Sequence, residues 1–161
     1  MKNLILIRHA KSSWDAPLRD FDRPLMQRGI KDAHEVASHC LPFLPHQYQI
    51  FSSAAKRAKE TAIIFAQNFS YPIESIMFDE ALYTFDVRKL EDIIKSFSNS
   101  YNNVILFGHN EAITNFVNKF GDIFIENVST SGFVSLQFDA EDWSSIQNGK
   151  TKKVIFPKDL N

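Results

Sequence analysis

The sequence predicts an α/β fold, a single-domain three-layer sandwich with a mostly parallel sheet, helices on both faces and an antiparallel C-terminal edge. Short apolar runs typical of buried strands alternate with segments in which apolar residues recur every three or four positions. This alternation occurs four times and ends in two strand-like segments with no helix between them. Repeated β-α units favour a parallel sheet with right-handed crossovers. The length of 161 residues predicts one domain over residues 1–161.

The first half of the chain contains two β-α units and a third strand. Strands are expected at 4–7, 48–52 and 73–78, and helices at about 25–41 and 55–69. Prolines at positions 42 and 72 end the two helical patterns. Ser53 is placed to cap the second helix.

The second half contains two more helical stripes and three strands. The helices are expected at 87–97 and 110–120, the strands at 103–107, 133–138 and 152–156. Asp86 and Asn110 stand where N-caps are preferred, and Gly121 ends the fourth helix. The last two strands pair as an antiparallel hairpin through the polar stretch near Asn148.

Composition excludes several classes of function. Hydrophobic residues make up 44% of the chain and charged residues 23%, which is typical of a globular protein. The net charge of −1 gives no bulk attraction to nucleic acid or to anionic membranes, so neither is an expected partner. Cys40 is the single cysteine, and the apolar run at 4–7 is too short for a signal peptide. We therefore expect no leader, no membrane span and a cytoplasmic location.

Basic side chains follow three of the predicted parallel strands, at the edge of the sheet where ligands bind in such folds. Arg8 and His9 follow the first strand, Arg57 opens the helix after the second, and His109 follows the fourth. These loops carry no matching set of carboxylates, so the cluster is expected to need an anion. The planar guanidinium suits phosphate oxygens, and a helix N-terminus adds to the attraction. A phosphoryl group is the predicted ligand.

Two side chains are candidates for the nucleophile. His9 lies directly at a strand end, where the backbone fixes its ring for in-line attack on phosphorus, and is the predicted nucleophile. Cys40 is the rival, but the arginine that cysteine-dependent phosphatases need six residues later is His46 here. A buried structural thiol is the better interpretation of Cys40.

Metal and nucleotide motifs are missing from the sequence. His34 and His39 are five residues apart, which places their rings about 140° apart around a helix. No glycine-rich loop ends in Lys followed by Ser or Thr, so a P-loop is not expected. No metal and no cofactor is predicted.

Three ordered motifs resemble those of the histidine phosphatase superfamily, which includes the phosphoglycerate mutases. The first is Arg-His-Ala-Lys-Ser-Ser-Trp at 8–14, with Ala10 in place of the family glycine. This form, followed by Asp-Phe-Asp-Arg-Pro-Leu at 20–25 and Arg-Gly at 28–29, is similar to the phosphohistidine phosphatase SixA group. The second motif lies at 52–62 and the third at 108–110.

The resemblance implies a phosphate pocket of Arg8, Arg57 and His109 around the nucleophile His9, within an α/β sandwich. It also implies a phospho-His9 intermediate that water hydrolyses, without a metal or an organic cofactor. The cationic groups would then neutralise the charge on the phosphoryl oxygens.

The acid that many phosphomonoesterases of this superfamily place after the third strand has no clear counterpart. Its position falls on Thr84, although Glu80 is near enough in sequence to reach the site. A missing acid harms the hydrolysis of alkyl esters more than that of phosphohistidine, because imidazole, with a conjugate-acid pKa of about 6.5, is the better leaving group. This favours a nitrogen–phosphorus substrate.

Further residues are candidates for contacts with the substrate. Lys11, Arg23 and Arg28 near the predicted mouth either hold an acidic metabolite or pair with Asp20 and Asp22. The full set of predicted substrate-binding residues is Lys11, Ser12, Arg23, Arg28, Glu80 and Asn110.

The function expected from these features is hydrolysis of protein-borne phosphohistidine. One alternative is a phosphomonoesterase for a small phosphorylated metabolite, with Glu80 as the acid. Another is a phosphate-binding module without turnover, for which Ala10 is the feature to test.

Overall fold

A computed structural model describes residues 1–160 and shows the predicted α/β fold. The strands are β1 (Lys2–Arg8), β2 (Gln49–Ser53), β3 (Met77–Asp79), β4 (Asn103–Gly108), β5 (Phe133–Phe138) and β6 (Lys150–Ile155). The helices are α1 (Gln27–Cys40), α2 (Lys56–Phe69), α3 (Val87–Lys95) and α4 (Ala112–Phe120). The strands form one sheet in the order β3-β2-β4-β1-β5-β6. The first four run parallel, and β5 is antiparallel to both β1 and β6, so the antiparallel C-terminal edge is confirmed.

The sheet separates two apolar clusters, one on each face. Leu4 and Leu6 of β1 join the cluster that α3 and α4 cover, whereas Ile5 and Ile7 join the cluster under α1 and α2. Because successive side chains of a strand point to opposite faces, this continuous apolar run is buried on both sides. The three predicted layers follow from that arrangement.

Local differences from the prediction occur at strand and helix ends. The segment 73–78 is not one strand: Ile73–Ser75 forms a 3-10 turn after Pro72, and only Met77–Asp79 pairs with β2. This edge strand has one neighbour, and its side chains are exposed. The residue of segment 73–78 that packs into the core is Ile76, which lies just before the strand. Apolar residues alone do not distinguish such a turn from a strand.

Of the three predicted helix N-caps, two are wrong. Asp86 caps α3 as predicted, because its carboxylate accepts the N–H of Arg88. Ser53 accepts the N–H of Ala55, which is itself the N-cap of α2. The N-cap of α4 is Glu111, although the Asn110 side chain accepts the N–H of Thr114 inside that helix. Ser53 and Asn110 therefore have other partners, which lie beside the candidate site.

The topology brings three strand ends to one edge of the sheet. Strands β2, β4 and β1 are neighbours and parallel, and Arg8 at the end of β1 lies opposite Gly108 at the end of β4. The residues that follow these strands therefore meet above the same edge. No helix within residues 1–160 is long and apolar enough to cross a membrane.

Candidate active site

The structure brings His9, Arg57, His109 and Arg8 together at this edge. The ring centroids of His9 and His109 are 5.3 Å apart, and their planes are tilted by 51°. Arg57 reaches the pair from the first turn of α2, with its Nε 3.3 Å from Nε2 of His9. His9, Arg57 and His109 are 8%, 3% and 1% exposed, so their interactions are little screened by water. The expected juxtaposition is present.

Hydrogen bonds define which nitrogen of His9 carries the lone pair. The Nε–H of Arg57 donates to Nε2 of His9, and a guanidinium has no acceptor. Nε2 is thus the acceptor, so Nδ1 carries the hydrogen and donates to the Ala10 carbonyl at 2.7 Å. Burial lowers the pKa of His9 to about 4, the bond to Ala10 opposes this, and the charges of Arg57, Arg8 and Arg23 add to it. His9 is neutral at pH 7.

His109 is neutral as well and is held by Ser53. Burial lowers the pKa of His109 to about 2, with further contributions from His9 and Arg57. Its Nε2 lies 2.8 Å from the hydroxyl of Ser53, which also accepts the N–H of Ala55. The Ser53 hydroxyl hydrogen can be donated to Nε2 of His109, and in that tautomer Nδ1 of His109 is a hydrogen-bond donor.

Two nitrogen atoms at the site are buried without a partner among residues 1–160. They are Nδ1 of His109 and Nε of Arg8, and a third such nitrogen, Nε of Arg23, belongs to a residue that lines the cavity over His9. The rest of the Arg8 guanidinium is fixed by a bond from Nη1 to the Val128 carbonyl at 3.0 Å. Buried donors are costly to leave unpaired, and an anion bound at the site would be a partner for such donors.

The Asp20 carboxylate, which the sequence offered only as an ion-pair partner at the mouth, contacts the site itself. Asp20, on the loop between β1 and α1, accepts Nη2 of Arg57 at 2.9 Å and the hydroxyl of Tyr83 at 2.5 Å. This one carboxylate serves more than one arginine, so the cations of the site still have no matching set of carboxylates. Arg23 pairs with the same carboxylate at 3.2 Å, as one of the two hypotheses for Arg23 held.

Asp20 remains ionised in this environment. Burial alone would raise the pKa of its carboxyl, but hydrogen bonds from Tyr83 and Arg57 and the charges of Arg57 and Arg23 lower that pKa below its usual value. A carboxylate held in this way is a poor proton donor. It instead fixes Arg57, whose Nη1 also donates to the Asp20 backbone carbonyl at 2.6 Å.

A cavity of about 660 Å³ opens over His9. Four predicted substrate-binding residues line it, namely Lys11, Ser12, Arg23 and Asn110. Arg23 donates to Ser12 and stacks on Trp14, with its guanidinium carbon 3.3 Å from the ring centroid. Further lining residues that the sequence did not predict to bind substrate are Trp14, Asp20, Met26, Tyr83, Phe85 and Thr130.

Arg28 and Glu80 do not line this cavity. Arg28 lies on α1 with its Nε 4.0 Å from Asp32, beside a smaller depression. Glu80 begins a 3-10 turn and lines another depression with Lys89. Neither is placed to bind the phosphoryl group. Arg28 lies in the first turn of a helix and Glu80 begins a 3-10 turn, and each side chain lines a depression other than the cavity over His9.

Tyr83 and Phe85 flank Thr84, the position at which related phosphomonoesterases have a general acid. Their side chains line the cavity, whereas Thr84 between them is buried and accepts the N–H of Asp86. The rings of both lie against His109, with centroids 5.3 and 5.6 Å from its own. The cavity wall here is aromatic, and apart from Asp20 it holds no carboxylate.

Ala10 is accommodated without strain. Its backbone does not adopt the left-handed conformation that favours glycine, and its side chain is fully buried in the cluster under α1 and α2. The Ala10 N–H donates to Thr61 at 2.9 Å while its carbonyl accepts from His9. The departure from the family glycine therefore leaves the His9 support intact.

Cys40 lies at the end of α1, fully buried in the cluster under α1 and α2. Burial raises the pKa of its thiol, which disfavours the reactive thiolate. It does not line the cavity over His9. The structure agrees with a structural thiol.

Residues 4–97 match the model of the histidine phosphatase superfamily, branch 1. The chain belongs to this superfamily. Histidine phosphatases act on phosphorylated substrates. No group of three or more His, Cys, Asp or Glu within residues 1–160 is arranged to hold a metal ion.

Solved structures of histidine phosphatases share the fold at low identity. The protein histidine phosphatase SixA complexed with tungstate superposes with a TM-score of 0.83 at 19% identity, covering 99% of both chains. The putative phosphohistidine phosphatase SixA from Agrobacterium tumefaciens gives 0.77 at 24% identity, covering 96% of this chain and 97% of that one. At these identities the likeness establishes the fold alone.

A curated relative is an uncharacterized chloroplastic protein of Arabidopsis thaliana. It is 36% identical over 121 residues, which are 68% of this chain and 55% of that protein. The chain thus spans about half the length of this relative.

Proposed function

We propose that this histidine phosphatase hydrolyses protein-borne phosphohistidine through a covalent phospho-His9 intermediate, without a metal. The observation that carries the proposal is the state of His9: a neutral ring with its lone pair on Nε2, beside His109 and Arg57, at a site where Arg8 and His109 have buried nitrogens without a partner. The nucleophile His9 and the groups that would bind an anion therefore belong to one site. This is the arrangement that phosphoryl transfer to histidine requires.

In the first step, Nε2 of His9 attacks phosphorus. A nitrogen–phosphorus bond forms on His9 as the bond to the substrate imidazole breaks, and that imidazole leaves in its neutral form because its other ring nitrogen already carries a proton. Arg57 Nε releases Nε2, which it holds at the long distance of 3.3 Å. Nδ1–H remains on the Ala10 carbonyl and stabilises the positive charge that develops on the ring.

In the second step, water attacks phospho-His9. The new oxygen–phosphorus bond replaces the bond to Nε2, the protons of the water pass to the phosphate product and solvent, and His9 returns to its neutral form. Arg8, Arg57 and the Nδ1–H of His109 bind the equatorial oxygens in both steps. These fixed donors supply the charge stabilisation that metals give in other phosphoryl-transfer enzymes.

The aromatic wall supports a nitrogen–phosphorus substrate over an alkyl ester. Tyr83 and Phe85 flank the cavity where a general acid would act, and the Asp20 carboxylate is held ionised. An alkoxide needs that acid, whereas imidazole does not. We therefore expect kcat/KM for a phosphohistidine peptide to exceed that for glycerol phosphate by about 10²–10⁴-fold, the usual contribution of a general acid.

The test compares hydrolysis of these two substrates in the presence of a chelator. His9→Ala should abolish turnover of both, while Glu80→Gln should change neither by more than about twofold, since Glu80 lines a separate depression. Equal turnover of the alkyl ester, together with a large loss in Glu80→Gln, would instead support the metabolite phosphomonoesterase. Phosphate binding without turnover of either substrate would support the binding module.

A further inference from the structure

The surface beside the phosphate cavity continues into two further depressions. The middle depression, of about 210 Å³, shares Lys11 and Thr130 with the cavity. The outer depression, of about 460 Å³, shares Ser129 and Lys158 with the middle one. The three are therefore contiguous, and we call the middle and outer depressions the track.

The middle depression is basic. Lys11, Arg28 and Lys158 line it, against the single carboxylate of Asp32, which lies 4.0 Å from Arg28. The three cations are exposed and come from three separate parts of the chain. Three positive charges against one favour an anionic group in this depression.

The outer depression has three apolar side chains. Phe124, Ile125 and Phe156 line it, together with the polar or charged residues Glu126, Asn127, Ser129 and Lys158. Phe124 is 80% exposed, the highest value among the exposed large hydrophobic residues. An exposed apolar surface beside a functional site is typical of an interaction surface.

We infer that the track binds the polypeptide that carries the phosphohistidine, with an acidic residue in the middle depression and an apolar side chain in the outer one. The inference rests on the proposed function. A small phosphorylated metabolite would fill only the cavity over His9. A polypeptide with its phosphohistidine in that cavity would extend beyond it and contact the track. Arg28 is then a contact for the substrate chain and not for the phosphoryl group.

The experiment uses three phosphohistidine substrates: the free amino acid, a peptide with Asp and then Leu on both sides, and the same peptide with Lys in place of Asp. The variants are Lys158→Glu and Phe124→Ser, both at exposed positions outside the cavity over His9. Matched controls are Lys152→Glu and Ile73→Ser, exposed residues that line none of the three depressions.

We expect each track variant to raise KM for the Asp peptide by about fivefold and to leave kcat unchanged, the size of effect that single rim contacts have. Turnover of free phosphohistidine should stay within twofold. Lys158→Glu should also reverse the preference between the Asp and Lys peptides, which a merely structural effect would not do.

Two negative outcomes are distinct. If the wild-type protein hydrolyses free phosphohistidine but neither track variant alters KM for the peptides, the track is overturned and the proposed function stands. If the wild-type protein hydrolyses none of the three substrates, the proposed function fails and the track fails with it. An equal loss in the track and control variants would also overturn the track.

Discussion

Asp20 contacts three of the side chains that shape the site. It accepts hydrogen bonds from Arg57 and Tyr83 and forms an ion pair with Arg23, and both arginines are buried. Nothing in the sequence separates Asp20 from Asp22, since both lie in one polar loop. The structure separates them, because Asp22 pairs with the exposed Arg19 instead.

Replacing Asp20 should therefore destabilise the protein, and phosphate should offset the loss. In Asp20→Asn, two buried guanidiniums lose a counter-ion. We expect a loss of about 1–2 kcal/mol in the free energy of unfolding, since the carboxylate is partly exposed and partly screened. Saturating inorganic phosphate should stabilise the variant more than the wild type, as measured by urea unfolding.

Asp22→Asn is the matched control. Both aspartate side chains are 43% exposed, but Asp22 faces an arginine that is 79% exposed. Its loss should change stability by less than about 0.5 kcal/mol. Equal effects of the two substitutions would show that the buried arginines do not depend on Asp20.

Single side chains were predictable where the backbone fixes them. His9 and His109 directly follow strands, and Arg57 lies in the first turn of a helix, so position along an element was enough to place them. Arg28 and Glu80 lie outside the cavity over His9, which was not predictable because position in sequence does not give the direction in which a side chain points from a helix or turn. Tyr83 was missed because an aromatic residue carries no phosphate-binding signal of its own.

Helix α1 packs closely against the segment that follows His9. The N–H of Met26 donates to the Lys11 carbonyl at 3.0 Å, and a Cβ on Gly29 would overlap that same carbonyl oxygen. The helix start is therefore held against a loop that lines both the cavity and the track. Glycine is needed here for close approach, not for an unusual backbone conformation.

Gly29→Ala should destabilise the protein although alanine is the better helix former. In an open helix position the change would stabilise by about 1 kcal/mol. Here the new methyl group meets backbone that cannot move aside, and overpacking of this kind costs about 1–3 kcal/mol. We expect a net loss of up to about 2 kcal/mol in urea unfolding. Lys31→Ala, on an exposed position of the same helix, should change stability little, and a gain in Gly29→Ala would contradict the packing.

Elements with strong periodicity or continuous burial were predicted well. Strands β1, β4 and β5 and helices α1 and α2 lie within two or three residues of their predicted bounds. The segment 73–78 was wrong because a short edge strand has only one partner to define it. The helix caps at Ser53 and Asn110 were wrong because both side chains bind tertiary partners that no local pattern records.

The molecule as a whole should lose stability in mild acid. The native pKa values of His9 and His109 are about 4 and about 2, whereas an unfolded histidine titrates near 6.5. Below pH 6.5 the unfolded state binds more protons, so the free energy of unfolding falls as the pH falls. Each histidine should contribute about 2 kcal/mol of loss between pH 7 and pH 5.

Urea unfolding at several pH values measures this slope. His109→Asn should reduce the slope near pH 5 by about one proton, whatever it does to stability at pH 7. A slope that is unaffected by the loss of His109 would show that this histidine is not buried in its neutral form.

The covalent phospho-His9 intermediate is tested most directly by quenching the enzyme during turnover of a ³²P-labelled phosphohistidine peptide with a chelator present. We predict label bound to the wild-type protein that is labile in acid and stable in base, as a phosphorus–nitrogen bond to histidine is, and none on His9→Ala. Label that persists on His9→Ala, or turnover of the wild type without labelled protein at any quench time, would contradict the account.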